Sequence, residues 1–159
     1  MAKVILICGK ICCGKSTYAK KLKNETHSII LSVDEISLSL FGQHCGDNHD
    51  IYTKAIQNYL FNKSLEIIDT GINVILDWGF WTSKERTYAR EFYRNKSIEC
   101  ELHFIDIDNE TWRKHIEKRN IDITTQKAIA YYIDDTLFKK STALFEPPTK
   151  DEISVCVKS

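Results

Sequence analysis

Apolar residues along the chain fall into short, nearly continuous runs separated by longer amphipathic stretches. Five runs have the composition of β-strands, at 3–8, 27–33, 73–77, 101–105 and 153–157. The intervening periodicity predicts helices over 15–24, over 51–69 with Gly71 as its stop, and over 83–96, where Thr82 and Glu85 fit a capping box. Asn109 is placed to cap a helix reaching about Arg119. A further helix is expected from Thr124 or Thr125 to about Phe145, where Pro147 and Pro148 forbid continuation. Strands alternating with helices, and strands apolar on both faces, predict an α/β fold with a parallel sheet covered on both sides. Ligands of such sheets sit at the carboxyl ends of the strands.

The connection after the first run therefore matters most. It reads Gly9-Lys10-Ile11-Cys12-Cys13-Gly14-Lys15-Ser16, the full phosphate-loop pattern between a strand and a helix. Glycines at both ends let the backbone of Lys10, Ile11, Cys12 and Cys13 curl so that its N–H groups point into a nest facing the positive end of the next helix. Lys15 would reach the β- and γ-phosphates of a nucleotide, Ser16 would place its hydroxyl on Mg²⁺, and Thr17 is a second polar contact. A thiol made reactive by the helix terminus is a minor alternative for Cys12 and Cys13.

A phosphate loop implies a nucleotide without implying a kinase, so the acceptor side rests on other residues. Leu31-Ser32-Val33-Asp34-Glu35 brings carboxylates to the end of the second strand, with Asp34 the candidate general base and Glu35 its substitute. Val74-Ile75-Leu76-Asp77 ends the third strand in an acid suited to holding Mg²⁺ or orienting an acceptor. Trp78-Gly79-Phe80-Trp81 follows. Trp78 and Phe80 are expected to give either a stacking wall for a sugar, base or ring, or core packing. In Trp112-Arg113-Lys114-His115-Ile116-Glu117-Lys118-Arg119, Arg119 is the first candidate for a cationic lid over the transferring phosphoryl group and Arg113 the second.

Composition narrows the picture. The 159 residues suit one domain, and 43% hydrophobic with 28% charged residues is the composition of a folded globule. Lys plus Arg and Asp plus Glu both number 22, so no bulk charge favours nucleic acid or membrane. The first apolar run is too short to cross a bilayer and lacks the layout of a signal peptide, so the cytoplasm is the expected compartment and the six cysteines are expected as reduced thiols. Residues 44–49 carry His and Cys, but without zinc spacing they read as a polar loop. Arg86, Arg90 and Arg94 recur every fourth residue, which predicts one helix face, solvated or, alternatively, phosphate-reading.

These motifs, in this order over most of the chain, resemble the P-loop NTPase fold of nucleoside-monophosphate-kinase-like enzymes. Specifically, they resemble the small AAA-domain kinases related to the 5′-kinase domain of polynucleotide kinase, to chloramphenicol phosphotransferase and to zeta toxins. The resemblance implies a five-stranded parallel sheet in the order 2-3-1-4-5 and ATP with Mg²⁺ at the first loop. It also implies Lys15 and Ser16 as phosphate and metal contacts, Asp34 as base, Asp77 as an acceptor-side carboxylate, Arg119 as a lid residue and Pro147 in a loop cupping adenine. Polynucleotide kinases of this type carry an arginine shortly after the base, and the matching position here is Ser37. That departure, with zero net charge, disfavours a nucleic-acid acceptor. The expected function is transfer of the ATP γ-phosphoryl group to a small-molecule hydroxyl. A 5′-hydroxyl polynucleotide kinase and an ATP-dependent switch or interaction protein are the alternatives.

Overall fold

The physical reason for the architecture is visible in its central strand. All five residues of β1 (Val4–Cys8) are buried, so side chains on both of its faces must be covered. Val4, Leu6 and Cys8 join Val74, Leu76, Phe61 and Tyr93 on one side, while Ile5 and Ile7 join Ile75, Ile105, Ala19 and Trp112 on the other. Each such aliphatic side chain contributes about 1.5–3 kcal/mol on burial. The structure, a computed structural model, describes residues 1–44 and 46–159, so Cys45 in the polar loop read above lies outside the described residues.

Around β1 lie β2 (Ser28–Ser32), β3 (Asn73–Gly79), β4 (Cys100–Asp106) and β5 (Val155–Lys158). All are parallel, in the order β2-β3-β1-β4-β5. The expected sheet order is thereby found. The helices are α1 (Lys15–Thr26), α2 (Val33–Phe41), α3 (His49–Asp69), α4 (Ser83–Arg94), α5 (Asn109–Thr124) and α6 (Asp135–Leu144). Among the described residues no helix is long and apolar enough to cross a membrane.

The capping box predicted for α4 is present, with Glu85 N–H donating to the Thr82 hydroxyl and the Glu85 carboxylate accepting from Thr82 N–H. Elsewhere local chemistry moves the boundaries. Strand β2 stops at Ser32 because the Ser32 hydroxyl accepts from Glu35 N–H and starts α2, a helix absent from the sequence reading, so Asp34 lies in a helix's first turn and not on a strand end. Helix α5 is capped by Asp108, not Asn109, and continues to Thr124.

The long helix expected from 124 or 125 is instead an irregular segment, 125–134, followed by the short α6. Side chains hold that segment out of helical form. Gln43 donates to Ala130 C=O at 2.5 Å and accepts from Tyr132 N–H, Asn120 grips both backbone groups of Ile133, and Asp134 caps α6 through Leu137 N–H.

Arg86 departs most from expectation. Its side chain is 1% exposed, so it belongs to no solvated stripe, whereas the Arg94 side chain is 76% exposed. Arg86 makes a two-point pair with Glu152 at 2.9 and 3.3 Å and donates to the carbonyls of Phe80, Trp81 and Glu146. Burial alone would raise the Glu152 carboxyl, but the bonds from Arg86 and Thr149 outweigh it and hold the group below its ordinary value. Arg86→Ala removes the charged partner of the half-buried Glu152 carboxylate and one hydrogen bond from each of three carbonyls. It should therefore cost about 3–5 kcal/mol in urea unfolding, against about 0.5 kcal/mol or less for Arg90→Ala.

Candidate active site

The phosphate loop runs from the end of β1 to the start of α1. Gly9 is required by space, since a Cβ there would stand 2.5 Å from the Cys13 sulfur and 3.1 Å from Ile105 C=O. Gly14 is required by conformation, with φ at 101° in the left-handed region. No side chain caps α1 and no acidic residue sits in its first turn, so the N–H groups and the positive helix end face outward. Lys15 folds back over the loop, its ammonium donating to Lys10 C=O at 2.6 Å and Gly9 C=O at 3.2 Å. Those carbonyls hold the cation over the loop.

Helix α5 supports the loop from the side. Trp112 donates from Nε1 to Ile11 C=O at 2.6 Å and carries the Lys10 ammonium over its ring, and the Cys12 thiol donates to His115 C=O. Arg119 stands against Cys12, and its charge reaches Asp34. Trp112, His115 and Arg119 share one face of α5 by their spacing of three and four, a periodicity that points to the loop but was read only for its charges. Arg113 lies off that face and is exposed, beside Asn109 and Lys114 in an open groove of about 480 Å³ along α5. Burial pushes the Cys12 thiol above its ordinary value, outweighing Arg119 and Lys15, so it is no activated thiolate. Burial pushes the Cys8 thiol up to about 12.

Two predicted residues meet directly. The Ser16 hydroxyl donates to the Asp77 carboxylate at 2.8 Å, although 61 positions separate them, because parallel pairing sets the end of β3 beside the loop. Asp77 is 6% exposed. A hydroxyl and a carboxylate at this spacing are hard oxygen ligands that fit Mg²⁺.

Asp34 faces the same space from α2. Asp34 is exposed, and the neighbouring protein that partly desolvates its carboxyl raises it above its ordinary value. Lys15 pulls it down, Asp77 raises it, and Arg119 and His49 lower it further. Glu35, beside it, is exposed. Ser37, one turn later, is 2% exposed and accepts from the Tyr131 hydroxyl at 2.7 Å.

The aromatic loop divides. Phe80 is 1% exposed and packs with the core against Trp78, so it is a packing residue and not a stacking surface, while Trp78 is half-buried against Phe61. Pro147 is exposed in a turn tied to Trp81 C=O through Glu146 N–H, on the α4 side of the sheet. Sequence reasoning missed Trp112, His49 and Tyr131.

A glycine-bounded nest at the end of β1, with a serine and a strand-end aspartate paired across the sheet, defines a nucleotide-binding P-loop fold of the kinase type. A family model described as AAA domain matches residues 4–148, and the chain belongs to that P-loop kinase-like family. Among curated proteins, none matches. Solved structures share the fold at low identity. An unliganded sugar kinase from Janibacter sp. HTCC2649 has a TM-score of 0.65 at 16% identity, covering 99% of this chain and 86% of that one. The Mycobacterium tuberculosis APS kinase CysC, in complex with AMPPNP and APS, has a TM-score of 0.68 at 14% identity, covering 99% and 88%. A chain of the Pnkp1/Rnl/Hen1 RNA repair complex has 0.71 at 18%, covering 90% and 43%.

The raised Asp34 carboxyl has a consequence for stability. Between the ordinary value and the raised one the folded state binds more protons than the unfolded chain, so stability falls as pH rises through that window. Asp34→Asn should therefore raise the melting temperature at pH 7–8, with the gain shrinking toward pH 4, as differential scanning calorimetry across pH would measure.

Proposed function

We propose that the protein is an ATP-dependent phosphotransferase that moves the γ-phosphoryl group of Mg-ATP to a hydroxyl of a small molecule. The observation that carries this reading is Asp34. An exposed carboxylate in the first turn of α2 stands close enough to Lys15, Arg119 and Asp77 for their charges to act on it. A nucleotide switch needs no such group. Neighbours in fold named as a sugar kinase, a gluconokinase and an APS kinase support a small acceptor.

In this reading the loop N–H groups and the start of α1 hold the phosphates, and Lys15 exchanges its loop carbonyls for phosphate oxygens. Ser16 and Asp77 would hold Mg²⁺, which when bound neutralises phosphate charge and fixes the γ-group for attack. Arg113, in its open groove, and Pro147 are the candidates for contacts to the rest of the nucleotide. Asp34 accepts the acceptor's hydroxyl proton as the new phosphorus–oxygen bond forms. The bond from the γ-phosphorus to the bridging oxygen breaks, and its electron pair leaves with ADP. Arg119 steadies the charge spread over the transferring oxygens. A carboxyl raised toward neutrality is better matched to proton transfer than an ordinary one.

Transfer of label from γ-labelled Mg-ATP to hydroxyl acceptors tests the reading. Lys15→Met should abolish transfer with the fold intact. Asp34→Asn should keep nucleotide binding and lower transfer at least about a hundredfold. It should also remove an acid limb of the pH–rate profile that lies above the ordinary carboxylate range. Arg119→Ala should lower the transfer rate more than ATP affinity. ATP hydrolysis indifferent to every hydroxyl compound, in a protein that binds ATP, would favour a switch instead.

A further inference from the structure

Between Lys23 and Lys54 the chain holds no Lys or Arg while carrying Glu25, Asp34, Glu35, Asp47 and Asp50. This stretch includes α2 and the start of α3, so the element presenting Asp34 is acidic. The charged groups facing Asp34 are Lys15, Arg119, Asp77 and His49. The first two belong to the phosphate side, and the His49 imidazole stands on the other.

That side has a wall. Asp34 and Ser37 lie one turn apart on one face of α2. Tyr131 donates its hydroxyl to buried Ser37 at 2.7 Å, and His49 stands edge-on to the Tyr131 ring at 6.0 Å. Segment 125–134, which carries Tyr131, is pinned by Gln43 and Asn120 on either side of that residue. Tyr131 is half-buried, and Lys127, the segment's cation, is exposed at its far end. The groups around the base on this side are thus hydroxyls, an imidazole and an aromatic ring, with acids on its own helix.

Resting on the phosphotransferase reading, we propose that Tyr131 is a specificity-determining residue of the acceptor site, and that the site takes an uncharged ring polyol, a sugar or a nucleoside. An acceptor bearing a phosphate near the reacting hydroxyl would set like charge against Asp34 and Glu35, with no ammonium or guanidinium on α2 to receive it. A neutral ring lies against Tyr131 and exchanges hydrogen bonds with hydroxyls held in place by Ser37.

The test compares kcat/KM for label transfer from Mg-ATP to adenosine, thymidine, D-ribose and D-glucose with that for adenosine 3′-monophosphate and a 5′-hydroxyl oligonucleotide. The best uncharged acceptor should exceed the phosphate-bearing ones at least about tenfold, and the separate sugar and nucleoside arms decide which ring is used. Tyr131→Phe should raise KM for that acceptor about three- to tenfold, the scale of one neutral hydrogen bond, with kcat and KM for ATP unchanged. Tyr131→Arg should narrow or reverse the preference about tenfold. Equal or better use of the phosphate-bearing acceptors by the natural protein overturns the inference and leaves the phosphotransferase reading standing. An unchanged acceptor KM in Tyr131→Phe also overturns it. Absence of label in every acceptor overturns both readings. If Tyr131→Arg does not fold, the natural protein and Tyr131→Phe still decide.

Discussion

A guanidinium taken almost wholly out of water must find partners for its donors, and Arg86 meets that demand with two carboxylate oxygens of Glu152 and three backbone carbonyls. Those carbonyls belong to the turn that leaves β3 and to the turn before β5, segments that Glu146 N–H also ties together through Trp81 C=O. The same β3 end carries Asp77, so the group that packs these turns also sets the position of the strand end in the site. Replacing such a pair with apolar residues is often harmless to stability, but removing one partner is not.

The site divides into two electrostatic halves. Lys15, Arg119 and the start of α1 make one half positive, while α2 brings carboxylates to the opposite half. Lys15 is satisfied by loop carbonyls and Ser16 by Asp77. The Asp34 carboxyl, by contrast, is raised by desolvation beyond what its cationic neighbours offset. A carboxyl so raised costs folding free energy at neutral pH.

Much of this was legible before any coordinates. Near-continuous apolar runs announced a sheet buried on both faces, the glycine spacing announced the phosphate loop, and Thr82 with Glu85 announced the start of α4. Ser32 and Glu35 form the same cap pattern, yet the apolar run before them read as strand through Val33, and α2 was missed. The arginines at 86, 90 and 94 looked alike because spacing records which residues share a helix face and says nothing of what covers it. Segment 125–134 looked helical since Gln43, which holds it otherwise, lies far away in the chain, and the reach of Asn120 to Ile133 depends on how the chain folds between them.

The sequence by itself determined the layering of the fold and the loop that meets phosphate, because both follow from local pattern: apolar continuity for buried strands, and glycine at positions no side chain can occupy. Only the tertiary structure decided which residues share the site. Ser16 reaches Asp77 through strand pairing, Trp112 supports the loop from a helix about a hundred positions away, and Tyr131 closes on Ser37 across 94. These contacts are made by chain crossings whose register is set by packing of the whole sheet, and packing is a property of the folded chain and not of any window along it.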